Sequence, residues 1–376
     1  MTFLVSHPPS IRRLRLSPTL TGYVARQFTV WYLSFLFGLL GVILLATAVD
    51  LLDRLASKEA SLAVVAKMVL LKLPFLSQEV MPFTVLFAGL ACFWRLTRSH
   101  ELVVTRAAGI SVWQVLVPVL GVALVVGGLT VTVLNPVAAV LLGRYEQFEA
   151  KYIHNRASTL SVSRQGLWLR QADEGGQSVI HASRITHETM TLHNVIVFHF
   201  AEGDRFIGRV DAEWTVLRPG HWQLTNAWKS SPGTRELFVE KLDIPTELSR
   251  EKILDSFAPP ETISFWDLPN FIELLENAGF SATHHKLQFH RLLATPLLLA
   301  ALVLLAASFS LRPQRRGRVG LVILGGVLTG FLLYFVSNIV FALGLSGDIP
   351  VILSAWAPAS VTLMLGIAVL LHLEDG

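Results

Sequence analysis

The sequence predicts an α-helical integral membrane protein of six transmembrane helices, with an all-β, jelly-roll-like domain inserted between helices 3 and 4. Three observations carry this. The 376 residues are 52% hydrophobic and only 15% charged, where soluble domains carry roughly 25% charge, and the mean hydropathy is +0.55. Six apolar runs each approach the ~20 residues a helix needs to cross hydrocarbon. Between the third and fourth runs the composition changes to short β-prone segments separated by Gly, Asp and Asn turns.

Taken in order, residues 1–27 read as a cytoplasmic N-terminal segment containing Arg12, Arg13, Arg15 and Arg26. The run from Phe28 to Val49 contains near its end the signal-peptidase look-alike Ala46-Thr-Ala48, so a cleaved leader is the rival reading. Signal cores run roughly 7 to 15 residues, and this run is long enough to span, which favours an uncleaved first helix. Further spans are expected at about Lys67 to Trp94, Val112 to Leu134, Leu292 to Leu311, Val319 to Leu343 and Val351 to Leu371. Residues 28–134 thus hold helices 1–3, 135–263 the β domain, 264–291 a linker helix and 292–376 helices 4–6. Within lipid the backbone must satisfy its own hydrogen bonds, which makes the runs helical.

The arginines set the orientation. Arg12, Arg13, Arg15 and Arg26, then Arg95, Arg98 and Arg106, then Arg312, Arg315, Arg316 and Arg318 fall on one side, which the positive-inside rule makes cytoplasmic. Both termini are then inside and the β domain outside. A net charge of only +4 gives no reason to expect nucleic acid. The single cysteine, Cys92, excludes an intramolecular disulfide.

The stretch Arg95 to Gly109 lies between spans 2 and 3. Ser99 is a candidate N-cap, Glu101 suits the positive end of a helix dipole, and Gly109 suits a left-handed stop. A short helix near 99–109 follows. Two readings stand: a coupling element, since whatever pushes on it moves two spans, or an ordinary amphipathic loop helix.

The chain has no Gly-Lys pair, hence no phosphate-cradling Walker loop, and no His-Glu-x-x-His or Gly-x-Ser-x-Gly motif. His284, His285 and His290, like His193 and His199, lack Cys or carboxylate partners at a metal-ligand spacing, and no metal is assigned. Span 2 holds Lys72, Pro74, Gln78, Glu79 and Pro82. Lys72 and Glu79 are two helical turns apart and share a face, which marks either a lined pathway or a snorkelling lysine on a kinked helix. Gly326-x-x-x-Gly330 reads as a close-packing face. Near the outer span ends stand Arg54, Lys58, Lys67, Lys151, Lys286 and Arg291. Grouped around a cavity, such side chains could grip lipid phosphates; scattered, they would be ordinary surface charge.

The order of these pieces resembles the LptF/LptG permeases of the lipopolysaccharide exporter. The likeness rests on Ser99 to Gly109, the spaced Pro74 and Pro82, Gln165-Gly-Leu-Trp168, Ala307-Ser-Phe309, Arg312 to Gly320, Gly330-Phe-Leu-Leu-Tyr334 and Ala357-Pro-Ala-Ser360, and it covers nearly everything after Leu20. Gln165-Gly-Leu-Trp168 is similar to the LptG version of an early strand. The resemblance implies a non-catalytic inner-membrane permease that extracts lipopolysaccharide from the periplasmic leaflet and passes it through a periplasmic jelly roll. It implies a sister LptF-like permease, an LptB-like ATPase dimer and a bitopic LptC-like protein as partners. No cofactor is expected on this chain, ATP and Mg being used by the ATPase. Glu101, with Ser99, Arg98, Arg106 and Gly109 around it, takes the coupling position; Arg54 and Lys151 match lipid-contacting positions. Thr47 and Phe75 stand where relatives can have lysines, so Lys72, Arg291 and Lys58 are the added phosphate candidates, with Gln78 and Glu79 as intramembrane polar groups. A membrane-anchored periplasmic scaffold and the sister permease remain the alternatives.

Overall fold

The computed structural model describes residues 18–55, 61–150, 152, 160–163, 166–173, 176–186, 191–201, 205–246, 253, 258–310 and 319–374. Lys58, Lys151, Gln165, Arg12, Arg13, Arg15, Arg312, Arg315, Arg316 and Arg318 lie outside the described residues. Among the described residues, six helices are long and apolar enough to cross a membrane. The first two are α1 (Pro18–Leu55) and α2 (Leu62–Arg98), followed by the short α3 (Glu101–Ala107). The third is composite: α4 (Val112–Leu129), a π-helical turn (Thr130–Leu134) and α5 (Asn135–Glu149). Beyond the β domain come α6 (Leu268–Asn277), α7 (Thr283–Ser310), α8 (Val319–Ser346) and α9 (Val351–Glu374).

The composite helix runs well past Leu134, where sequence placed the start of the β domain. Its 38 residues extend ~57 Å at 1.5 Å each, against ~30 Å of hydrocarbon. Pro136 brings no amide hydrogen to the ladder, and the neighbouring Thr132 carbonyl accepts a hydrogen bond from Trp266 Nε1 at 3.2 Å. Asn135 Oδ1 accepts from the Phe265 amide at 2.8 Å. With these partners the chain stays helical across the proline. Leu142 and Tyr145 of α5 then pack on Leu51, Leu55, Val65 and Met68 of α1 and α2, a second small core nearer the β domain. Likewise α7 begins at Thr283, ahead of the expected Leu292, so the linker helix is confined to α6.

The bundle is built around α7. Every residue from Leu299 to Ser308 is buried, as expected of a helix apolar on all sides. Three neighbours reach it through glycine: a Cβ on Gly89 of α2 would lie 2.7 Å from Ala306 Cβ, one on Gly127 of α4 2.6 Å from Pro296 Cα, and one on Gly366 of α9 2.8 Å from Leu304 Cβ. Small residues let helix backbones approach closely where no hydrophobic effect drives association. The Gly326 and Gly330 pair does the same for α8 against Leu90 and Leu86 of α2.

The β domain is one antiparallel sheet whose strands pair in chain order: β1 (Leu160–Ser163), β2 (Gly166–Asp173), β3 (Gly176–Thr186), β4 (Thr191–Ala201), β5 (Arg205–Arg218), β6 (His221–Ser230) and β7 (Leu237–Pro245). The jelly-roll-like domain expected between the third and fourth spans is thus assembled by hairpins alone among the described residues. Its two ends are bridged by Gln171 of β2, whose Nε2 donates to the Pro245 carbonyl at 3.0 Å and whose Oε1 accepts from Thr246 Oγ1 at 2.6 Å.

A crease crosses the sheet. Buried positions run 180 and 182 then 185 on β3, 192 then 195 and 197 on β4, 210 and 212 then 215 on β5, and 222 and 224 then 227 on β6. The inward face therefore changes parity on four strands in register. At that row Asn194 and Asn226 adopt left-handed φ of 50° and 53°, a conformation asparagine tolerates better than most residues, and Asn226 Nδ2 donates to Glu213 Oε2 at 2.7 Å. Keeping one face inward across the crease lets Leu192, Val197, Trp222 and Leu224 share a core with Leu275 and Phe280 beside α6. The Ile185 amide donates to the Ala278 carbonyl at 3.2 Å. Gly279, at φ 85°, lies so near the Ile185 carbonyl that no side chain fits.

Gly127→Ala forces α4 off the Pro296 backbone and is expected to lower the midpoint of thermal unfolding in detergent, as overpacking by ~1–3 kcal/mol does. Gly128→Ala, with open space around it, should leave the midpoint unchanged or raise it through helix propensity of up to ~1 kcal/mol. Equal midpoints for the two variants would refute the close-packing account.

Candidate functional site

Two places carry unusual side-chain arrangements, at opposite ends of the bundle. The first is α3. Ser99 caps the C-terminus of α2 rather than the N-terminus of α3, correcting the sequence reading; the N-cap is His100 at φ 57°, without a side-chain cap bond. The left-handed residue turns the chain sharply between the two helices, which leaves Ser99 on the α2 side. Ser99 Oγ sits 2.9 Å from the Arg95 carbonyl and 2.8 Å from Glu101 Oε1; its single hydrogen serves one of them at a time. The Tyr23 hydroxyl of α1 also lies beside the Glu101 carboxylate.

Gly109 stops α3 as expected, at φ 79°. Its amide donates to the Arg106 carbonyl at 2.9 Å and the Ile110 amide to Thr105 at 3.2 Å, the pair of bonds that closes a Schellman motif. Ser111 and Gln114 then form a capping box opening α4. Held at both ends, α3 buries Leu102 in the main bundle core and turns Val103 and Val104 outward, 60% and 69% exposed. Arg98, its guanidinium 5.2 Å from the centre of the Trp94 ring, and Arg106 are exposed beside them. Sequence reasoning found Glu101, Arg98 and Arg106 but missed Tyr23, which is far away in the chain, and the two valines, whose hydrophobicity blends into the flanking spans.

The second place is a cavity of about 430 Å³ at the β-domain end, walled by α2, the composite third helix, α7, α8 and α9. Its deeper wall is apolar and aromatic, with Phe75, Phe83, Leu298, Leu302 and Leu333; its mouth is polar, with Lys72, Glu146, Glu149, Glu261, Gln288 and Arg291. Lys72, Gln78, Glu79 and Arg291, singled out in the sequence, are brought together here. Lys72 Nζ lies 4.9 Å from the Tyr145 ring centre and Arg291 Cζ 5.2 Å from that of Phe341. Such stacking holds a cation with its hydrogen-bond donors free. Gln78 Oε1 accepts from Asn135 Nδ2 at 3.4 Å.

Arg54 is not in the lining: it pairs with Asp50 at 3.0 Å and approaches Glu149 at 3.9 Å. Lys58 and Lys151 fall outside the described residues. The glutamates and Gln288 were missed, because Glu146 and Glu149 lie on the unforeseen α5 and Gln288 on the early part of α7. Three of the histidines have ordinary partners: His285 Nε2 lies 3.2 Å from the Ala258 carbonyl, His193 Nε2 3.0 Å from Thr186 Oγ1 and His199 Nδ1 2.9 Å from Ser178 Oγ.

An amphipathic cavity inside a helical bundle and an exposed, doubly anchored helix at the far end are the parts of a polytopic membrane permease. The comparisons agree. The model of the family described as "Lipopolysaccharide export system permease LptF/LptG" matches residues 22–372, and the chain belongs to that family. It is 24% identical over 311 residues, 81% of this chain and 84% of the relative, to the lipopolysaccharide export system permease protein LptG of Escherichia coli K12. It is 24% identical over 297 residues, 74% of this chain and 77% of the relative, to the LptG of Haemophilus influenzae. This is a non-catalytic, multi-pass membrane subunit of a lipopolysaccharide export system, a role that implies partners in a transporter complex.

The exposure of α3 is testable by thiol labelling. Cys92 is wholly buried and should resist maleimide until denaturation; a cysteine introduced as Val104→Cys should react within the folded protein, and one introduced as Leu102→Cys should not. Rapid modification of Leu102→Cys would show that α3 is not seated as described.

Proposed function

We propose that this chain is the LptG-like half of an ATP-driven transporter that extracts lipopolysaccharide from the periplasmic leaflet of the inner membrane and passes it through its β domain toward the outer membrane. One observation carries the reading: the exposed helix and the amphipathic cavity sit at opposite ends of the same two helices, α2 and α7. Those helices are tied at the α3 end by Thr97 Oγ1 donating to the Ser310 carbonyl at 3.1 Å and Ser310 Oγ donating to the Leu90 carbonyl at 3.3 Å.

With Arg95, Arg98 and Arg106 on the cytoplasmic side, both termini are cytoplasmic and the cavity mouth lies at the periplasmic surface. A separate LptB-like ATPase dimer, using ATP and Mg, docks on Val103 and Val104, with Glu101 supplying the charged contact. Displacement of α3 moves α2 and α4 together, since neither connection has slack. Lys72 and Arg291 receive phosphates of the lipid headgroup while acyl chains lie against the aromatic wall. An LptF-like sister permease and an LptC-like periplasmic protein complete the complex. Identity over most of the chain to relatives named LptG supports the G-like assignment over the F-like one. A scaffold that only anchors its β domain gives no role to an ionised cavity.

Two substitutions separate the transporter from the scaffold. In the reconstituted complex, Glu101→Ala should leave assembly intact and uncouple ATP turnover from lipid release; undiminished release would count decisively against the proposal. Lys72→Gln combined with Arg291→Gln should weaken lipopolysaccharide binding about tenfold or more, the scale of one or two charge-assisted hydrogen bonds. A scaffold would be indifferent to both.

A further inference from the structure

The charge lining the cavity does not suit a phosphate alone. Among the described residues two cations line the cavity, Lys72 and Arg291, against four carboxylates, Glu79, Glu146, Glu149 and Glu261. They do not neutralise one another. Lys72 and Arg291 lie over aromatic rings and form no ion pair among the described residues. A phosphate would satisfy the two cations and bring further negative charge beside the glutamates, an arrangement penalised strongly where water is scarce.

A second observation points the same way. Gln288, 8% exposed, lines the cavity, and its buried Oε1 has no hydrogen-bond partner. A buried acceptor left without a partner is destabilising and calls for an explanation. What it lacks is a donor or a cation, which a fully ionised phosphate does not supply.

We infer that the mouth of the cavity is a two-part site for a headgroup that carries positive charge next to its phosphate. Lys72 and Arg291 take the phosphate, and Glu146, Glu261 and the Gln288 carbonyl take the cation. Glu149 is partly satisfied by Arg54 at 3.9 Å and closes the acidic side. The positive charge is either an ammonium on a phosphate substituent, such as phosphoethanolamine, or a divalent ion bridging phosphate and carboxylate. Both bind oxygen ligands with the same charge logic. The inference rests on the lipopolysaccharide reading above and adds to it which headgroups are held best.

The test uses the full chain in phosphatidylcholine nanodiscs, with binding of two probes measured: lipid A bearing phosphoethanolamine and unsubstituted lipid A, each in EDTA and in Mg²⁺. If the ammonium is the source, the substituted probe binds about tenfold tighter in EDTA. If the ion is the source, Mg²⁺ tightens the unsubstituted probe by a similar factor. In either case Glu146→Gln with Glu261→Gln, and separately Gln288→Met, abolish the gain while unsubstituted lipid A in EDTA still binds, which also certifies that the variants are folded. Binding indifferent to both amine and Mg²⁺, or a gain that survives in the variants, overturns the inference and leaves the phosphate site standing. Failure of wild-type chain to bind either probe overturns both readings.

Discussion

The structure depends on how tightly α7 is held. Glycines from three helices press against its middle, so its backbone is approached from several sides at distances that leave no room for a methyl group. Dispersion contacts are individually ~0.1–0.2 kcal/mol but accumulate over such a seam. In lipid, where apolar surface gains nothing by leaving the solvent, this shape fit is the main force that can assemble the bundle. Both ends of α7 are also committed. At one, Ser310 is bonded to α2; at the other, Gln288 and Arg291 enter the cavity mouth and α6 docks on the sheet. A displacement at either end is thus carried by a packed rod.

The β domain is seated by the same logic. Its crease, at Asn194 and Asn226, lets four strands keep their apolar residues inward on both sides of a bend. A flat sheet with strict alternation would turn one half of that core to solvent. The lower half meets α6, and Gly279 permits the Ile185 carbonyl an approach that any side chain would block. The sheet is therefore held against the turn between α6 and α7 by backbone contact.

The spans, the hairpin-rich insert and the polar helix were legible because each leaves a periodic or compositional trace of ~10 to 20 residues. Features that depend on one residue in three dimensions were not. Ser99 has the chemistry of an N-cap, and only the left-handed turn at His100 puts it on the α2 side instead. Asn135-Pro136 reads as a break, and only the distant Trp266 and Phe265 show why the helix survives it. Lys72 and Glu79 announced a polar face within an apolar run. Gln288 and Glu146, on segments that read as linker helix and β domain, announced nothing, although they line the same cavity.

Rigid and compliant parts are segregated around that cavity. Its wall includes Pro82 in α2, Thr130 in the π-helical turn and Pro358 in α9, each a point where the helical ladder lacks a bond or shifts its pattern. The α7 side of the wall is different: Pro296 does not face the cavity but is clamped against Gly127. If α3 receives the push of an ATPase as proposed, that force travels through α2 and α4 to a cavity with interrupted helices on most sides and a braced one on the other. The least costly deformation is a change in the shape of the cavity, not a sliding of α7 through its glycine contacts. A transporter that must loosen its grip on a lipid without dissolving its own core needs that division between wall and rod.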